Sequence, residues 1–195
     1  MKKHVQLGPI EIVEPREIVY DILNYKKYGS VLDLGAGYGR HALFLASKGF
    51  EVTAVEKEIA QVRYLKEQSV KLGVSIKIIQ DDISQFFPDK QYDVVLATMV
   101  IHFLSEQEAI KVIGTMQNFT APEGLNVIAV YTDKNPVGLR PYQFAMEELK
   151  DMYQGWEIVR CEEFLGQEIE SSYVKDGGPS RRYNGVLIAK KVSDL

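Results

Sequence analysis

The sequence predicts a doubly wound α/β fold around a mostly parallel seven-stranded sheet whose last strand runs antiparallel. Short apolar runs alternate with segments of helical period along the chain. The first of these runs breaks into Gly35-Ala36-Gly37-Tyr38-Gly39 immediately before a helical segment. The last two strand-like runs, 156–161 and 183–190, are joined by a polar stretch with no helical pattern. A parallel connection needs a crossover, so these two must pair antiparallel.

Each element follows from local chemistry. Pro15 to about Tyr25 reads as a helix, because proline is tolerated in a first turn and Ile18, Ile22 and Leu23 recur at helical spacing. Residues 30–34 form a strand apolar enough to be covered on both faces. A helix over 39–48 stops at Gly49, and strand 51–55 completes a βαβ unit. Over 58–72, Ile59, Val62, Leu65 and Leu72 share a face, with Gly73 closing the helix. Strands follow at 75–80 and 92–97, separated by a loop through Pro88. Ser105 and Glu108 make a capping box for a helix over 106–117. Strand 124–131, helix 142–152 and strands 156–161 and 183–190 finish the series. The segment 166–182, with Gly177-Gly178-Pro179, reads as a long hairpin loop.

The 195 residues suit one domain spanning 1–195, with an N-terminal helical extension at about 1–28. No apolar run approaches the ~20 residues of a membrane-spanning helix. The first residues carry Lys2 and Lys3 but no apolar region behind them, so no secretory signal is expected and the cytoplasm is the default location. The lone Cys161 excludes an intrachain disulfide and a cysteine-based zinc site, and no metal is expected. A net charge of -4 offers no broad basic surface, which disfavours a nucleic-acid partner and favours a small molecule. Oligomeric state is left open.

The glycine turn carries most of the functional information. Gly35, Gly37 and Gly39 let the backbone curl and approach a ligand where a Cβ would clash. A dinucleotide fingerprint wants its third glycine three residues after the second, around a pyrophosphate. Here the spacing is shorter, and Asp33 sits two places before the first glycine. A carboxylate there suits a ligand with positive charge near the turn. S-adenosylmethionine, with an α-ammonium and a sulfonium, has that chemistry. Glu56 ends the second strand, where adjacent ribose hydroxyls would meet a carboxylate. Lys57 beside it would offer backbone or its aliphatic stem.

Asp33-Leu34-Gly35-Ala36-Gly37-Tyr38-Gly39-Arg40 resembles motif I of class I S-adenosylmethionine-dependent methyltransferases, whose sheet has seven strands. The phrases VLDLGAGYGRHALFLASKGFEVTAVE, QYDVVLATMVIHFL and ELKDMYQGWEIV resemble, in order and spacing, the tellurite-resistance methyltransferase family over roughly 29–165. The resemblance implies a cofactor cradle of Asp33, Gly35, Ala36, Gly37, Gly39, Arg40, Glu56, Lys57, Asp82, Ile83, Thr98 and Met99. In it Asp33 serves the methionine moiety, Asp82 and Ile83 the adenine, and a backbone carbonyl near Thr98 and Met99 the ammonium. Asp81 is then a solvated neighbour. His41 borders the cofactor.

The acceptor side is less determined. His102, four residues beyond Thr98, is a candidate general base for an O- or N-nucleophile or else a structural imidazole. Tyr38, Arg140, Arg181, Arg182 and Tyr183 come from segments expected to meet near the transferred methyl, where guanidinium groups suit an oxyanion. Relatives often carry Gly-Glu-Leu-His where this chain reads Gly166-Gln167-Glu168-Ile169, without the histidine. The Asn/Asp-Pro-Pro-aromatic motif of amino-methylating nucleic-acid enzymes is missing after the fourth strand, as is the Pro-Cys of carbon-5 cytosine enzymes. The expectation is methyl transfer to a small molecule such as tellurite, another chalcogen oxyanion or a thiol. A non-catalytic S-adenosylmethionine-binding protein and a nicotinamide-dependent oxidoreductase are the alternatives.

Overall fold

The computed structural model describes residues 14–167 and 181–193. The first part of the expected N-terminal extension and most of the expected hairpin loop, including Glu168, Ile169 and Gly177-Gly178-Pro179, lie outside the described residues. Seven strands form one sheet: β1 (Ser30–Leu34), β2 (Glu51–Glu56), β3 (Ile76–Gln80), β4 (Tyr92–Thr98), β5 (Thr120–Tyr131), β6 (Glu157–Leu165) and β7 (Tyr183–Lys190). Their order is β3-β2-β1-β4-β5-β7-β6. Pairing is parallel from β3 through β5, whereas β7 runs antiparallel to both β5 and β6. From β1 the chain winds outward through β2 and β3, then returns to start again at β4. The strand order therefore reverses between β1 and β4, and the crevice at their carboxyl ends is where a doubly wound sheet binds ligands.

Helices α1 (Glu17–Tyr25), α2 (Arg40–Ser47), α3 (Ile59–Leu72), α4 (Glu106–Asn118) and α5 (Met146–Asp151) accompany the sheet. One apolar cluster joins α1, α2 and Leu65 of α3 to Val31, Val52, Val94 and Val127. The other joins α4 and Phe144 to Leu32, Val95, Ile128 and Leu187. Adjacent residues of one strand thus serve opposite layers, which is why β1, β4 and β5 read as continuous apolar runs. Helix α1 sends Ile18, Val19 and Ile22 into the first cluster, so this part of the expected extension belongs to the main core.

Three boundaries depart from the expected ones by more than two residues. Helix α5 starts at Met146 rather than 142, because Phe144 is fully buried and bridges to Thr132 in an extended conformation. Strand β5 starts at Thr120, which pairs with Tyr92 before a register shift. There Glu123 takes φ +60° and Gly124 is so enclosed that a Cβ would lie 2.7 Å from the Ala121 carbonyl oxygen. Strand β6 runs on to Leu165, since β7 offers it partners as far as Tyr183.

Candidate cofactor and acceptor site

The glycine turn leaves β1 at the strand-order reversal. The N–H groups of Gly35 and Ala36 both donate to the Val55 carbonyl, at 2.9 and 3.0 Å, tying the turn to β2. Gly35, Gly37 and Gly39 have φ of +70°, +58° and +81°, where side chains are disfavoured. Their surroundings differ. A Cβ on Gly35 would lie 2.3 Å from Val100 Cγ2, and one on Gly39 would lie 2.1 Å from Leu65 Cδ1. Packing requires those two glycines. Around Gly37 nothing comes nearer than Gln61 Oε1 at 3.9 Å, and the space above it belongs to a cleft of about 390 Å³.

Gly37→Ala is accordingly expected to lower stability by only about 1–2 kcal/mol, the cost of a left-handed alanine, because no neighbour clashes. Its methyl would enter the cleft, so ligand affinity should fall by more than the stability loss explains. Thermal denaturation alongside calorimetric titration measures both.

The cleft brings together Gly35, Gly37, Glu56, Lys57, Asp82, Ile83 and Met99 of the expected cradle. Asp33, Ala36, Gly39, Arg40 and Thr98, also expected in the cradle, are not among its lining residues. Glu56 is 6% exposed and held at both oxygens: Gly37 N–H donates to Oε2 at 2.8 Å and Glu58 N–H to Oε1 at 2.9 Å. Each oxygen retains a further lone pair for a hydroxyl donor. Asp82 Oδ1 accepts from the N–H and hydroxyl of Ser84, each at 2.9 Å, while Oδ2 lies 3.9 Å from Lys57 Nζ. These Ser84 bonds, with Lys57 behind them, hold the Asp82 carboxyl below the usual carboxylate range. Met99 has φ +55°, rare for a side-chain-bearing residue, and its N–H donates to the Ala129 carbonyl at 2.7 Å. The strain turns the chain out of β4 at the cleft wall.

Asp33 is 1% exposed, accepts from Ala42 N–H, and has an Oδ2 with no hydrogen-bond partner among the described residues. Burial, with nearby Glu56 as a second cause, pushes its carboxyl up to about 7.

On the other side of Met99, two histidines are locked by their neighbours. His41 Nε2 accepts from Arg16 N–H at 3.4 Å, which puts the proton on Nδ1, 2.9 Å from Thr98 Oγ1. The Thr98 side chain is thus engaged with His41. His102 is fully buried, and its Nδ1 accepts from Tyr131 N–H at 3.2 Å, so the lone pair a base would use is engaged and Nε2 carries the proton. Among the described residues that Nε2 is buried without a partner. The imidazole stacks on Tyr131 at 4.6 Å and does not line the cleft, although its neighbour Phe103 does. Burial first, then surrounding arginines, pushes both histidines down to about 3: Arg40 and Arg16 act on His41, and Arg140, Arg16 and Arg182 on His102.

Two of the arginines expected here converge. The guanidinium carbons of Arg140 and Arg182 lie 5.3 and 5.5 Å from the Tyr131 ring centroid, and that of Arg140 is also 4.8 Å from Phe103. Arg182 is 3% exposed. Arg181 is exposed, and its Nε donates to the Gly166 carbonyl at 3.0 Å. Tyr183 is half-buried beneath Lys134, whose Nζ is 5.9 Å from its ring centroid. Tyr38 is exposed and packs edge-on against Tyr64, with centroids 5.2 Å apart. Sequence reasoning missed Arg16, whose guanidinium is desolvated beside Arg40 and Tyr131 and acts on both histidines. No spacing in the sequence marks it, because only tertiary packing of α1 carries it to the end of β5.

Comparison with known proteins agrees with this fold. A curated relative from Haemophilus influenzae (strain 10810), described as a probable S-adenosyl-L-methionine-dependent methyltransferase TehB, is 34% identical over 140 residues, covering 70% of this chain and 49% of that protein. The chain spans about half the length of the curated TehB relatives it matches. The crystal structure of TehB from Haemophilus influenzae superposes with a TM-score of 0.80 at 28% identity, covering 89% of this chain and 61% of that one. The N-methyltransferase NodS from Bradyrhizobium japonicum, solved with S-adenosyl-L-homocysteine, shares the fold at a TM-score of 0.72 and 16% identity, over 91% of this chain and 85% of that one. The family model of tellurite resistance protein TehB matches residues 11–173, and the chain belongs to that family.

Proposed function

We propose that this chain binds S-adenosylmethionine in the cleft over Gly37 and transfers its methyl group to a small anionic acceptor, with chalcogen oxyanions such as tellurite and thiolates within that class. The observation that carries the cofactor reading is the unpartnered, buried Oδ2 of Asp33 beside a cleft whose other carboxylate, Glu56, is held by two backbone N–H groups. Asp33 suits a cationic amino group, Glu56 a pair of ribose hydroxyls, and Asp82 with Ile83 the adenine. When bound, the cofactor supplies a methyl group on a sulfonium that is already a good leaving group. What remains for the protein is to align the acceptor and exclude water.

The acceptor side fits an anion. Arg16, Arg140 and Arg182 surround His102 and Tyr131, and guanidinium groups placed there suit an oxyanion. His102 then acts as a neutral support for that cluster, since its basic nitrogen is engaged. A nucleophile that is already ionised needs no base. Arg140→Gln is expected to raise the acceptor KM roughly tenfold while leaving S-adenosylhomocysteine affinity intact. The wild-type rate should have no acid limb near pH 6.5 assignable to His102, whose imidazole stays neutral down to about 3. Steady-state kinetics from pH 5 to 8 check both.

The decisive experiment measures transfer of labelled methyl from S-adenosylmethionine to tellurite, selenite, thiols and small amines, with nucleic acid as a control. Transfer to an anion supports the proposal. Cofactor binding without turnover on any acceptor points instead to a binding protein, and NAD binding in place of S-adenosylhomocysteine points to an oxidoreductase.

A further inference from the structure

The β1–β4 ladder ends at the Asp33–Leu96 pair, and Leu34 on one strand and Ala97 and Thr98 on the other run on beyond it. On its far side the end of β4 stays laddered: Thr98 pairs with Ala129 of β5, and Met99 N–H donates to the Ala129 carbonyl at 2.7 Å. Toward β1, the first turn of α2 takes over. Ala42 N–H donates to Asp33, and His41 Nδ1–H donates to Thr98 Oγ1 at 2.9 Å. One helical turn, following directly on the glycine turn, thus holds β1 and β4 together where their ladder has ended.

An imidazole suits this place because one of its nitrogens donates while the other accepts. His41 Nε2 accepts from the N–H of Arg16, the residue at the N-cap of α1, in a long bond of 3.4 Å. That N–H precedes the helix, where α1 itself offers it no acceptor. His41 is buried with both ring nitrogens engaged, and it does not line the cleft. The residues after Thr98 do: Met99, held at φ +55°, and Val100, which packs against Gly35. Separation of β4 from α2 would therefore carry Met99 and Val100 away from the glycine turn. We propose that His41 is a positioning residue for the cofactor: through Thr98 it fixes the spacing of β1 and β4 at their carboxyl ends, and through Arg16 it makes the start of α1 part of the same tie. The proposal rests on the S-adenosylmethionine reading of the cleft. A ligand that bridges Met99 and the glycine turn then tightens the tie and, by linkage, protects the Arg16 amide from exchange.

The test combines calorimetric titration of the full chain with S-adenosylhomocysteine and hydrogen exchange of the Arg16 amide followed by NMR. His41→Phe and Thr98→Val are each expected to weaken S-adenosylhomocysteine about threefold to tenfold. Because both break one tie, the double variant should bind no more weakly than the poorer of the two. Thr98→Ser keeps the hydroxyl and should bind like the wild type. S-adenosylhomocysteine should slow Arg16 exchange in the wild type and leave it unchanged in His41→Phe. Should His41→Phe fail to fold, the contrast between Thr98→Val and Thr98→Ser carries the comparison, and equal affinity in those two would overturn the proposal. A folded His41→Phe with wild-type affinity would overturn it too, as would losses that add in the double variant. If the wild type binds no S-adenosylhomocysteine, the cofactor reading fails, and the tie is judged on the unliganded protein. There His41→Phe must quicken exchange of the Arg16 and Met99 amides; unchanged exchange would overturn the tie as well.

Discussion

Glu56→Ala is expected to weaken S-adenosylmethionine and S-adenosylhomocysteine alike, by roughly tenfold to hundredfold, or about 1.5–3 kcal/mol. The carboxylate sits at the end of β2 with its rotamer fixed by N–H groups from Gly37 and Glu58. On the proposed cofactor reading it would meet a ribose without first being ordered, so charge-assisted bonds to two hydroxyls would be realised almost fully. The same substitution leaves both N–H groups without their acceptor, which loosens the glycine turn as well as removing the ligand contact. Glu56→Gln separates these effects: its amide oxygen replaces one acceptor, so the turn should recover in part while affinity stays low. Calorimetry with both variants and with NAD makes the measurement. NAD binding to the wild type, or unchanged S-adenosylhomocysteine affinity in the alanine variant, would remove the cofactor assignment.

The fold was legible wherever a local signal and burial agree. Strand β1 was expected at its observed bounds because Val31, Leu32 and Leu34 are buried on both faces and Gly35 stops the strand abruptly. Helix α4 was equally clear, since Ser105 and Glu108 make the capping box that their spacing implies. The start of α5 was not, because Phe144 follows a tertiary bridge to Thr132 in place of its local helical pattern. In the site, the glycine turn, Glu56 and Asp82 could be located in advance because they occupy the ends of consecutive parallel strands, which topology brings to one edge. The arginines could not be sorted in the same way. Arg181 and Arg182 are neighbours in sequence, yet next to β7 one faces solvent and the other is buried against Tyr131. Alternation at a strand end settles which one turns inward only when the register is known.

Asp33→Asn is expected to make the ligand-free protein more stable and its cofactor binding worse. The Asp33 carboxyl, at about 7 in the folded protein, lies well above the ~3.9 of an unfolded chain. Between these values the folded state holds a proton that the unfolded state has released. Stability contributed by Asp33 is therefore complete below about pH 4 and is lost as pH rises through 7. Asparagine has no such penalty: its carbonyl can keep the Ala42 N–H bond, and its amide can donate toward Glu56. At pH 8 the variant should gain on the order of 2–4 kcal/mol, several degrees in thermal midpoint, and at pH 4 it should gain little. Cofactor binding should move the opposite way, because the cofactor's ammonium favours the ionised carboxylate. Wild-type affinity is expected to fall about tenfold per unit as pH drops below 7, with close to one proton released on binding near pH 6. The ammonium's own titration near ~8 reduces affinity at higher pH and persists in the variant, so the difference between the two proteins isolates Asp33. The Asn variant should lose the slope between pH 5 and 7, and at pH 8 should bind S-adenosylhomocysteine roughly tenfold to hundredfold more weakly. Calorimetry in buffers of different ionisation enthalpy counts the proton directly. Binding without proton release at pH 6, or an asparagine variant equal to wild type at pH 8, would show that Asp33 does not meet the cofactor's charge.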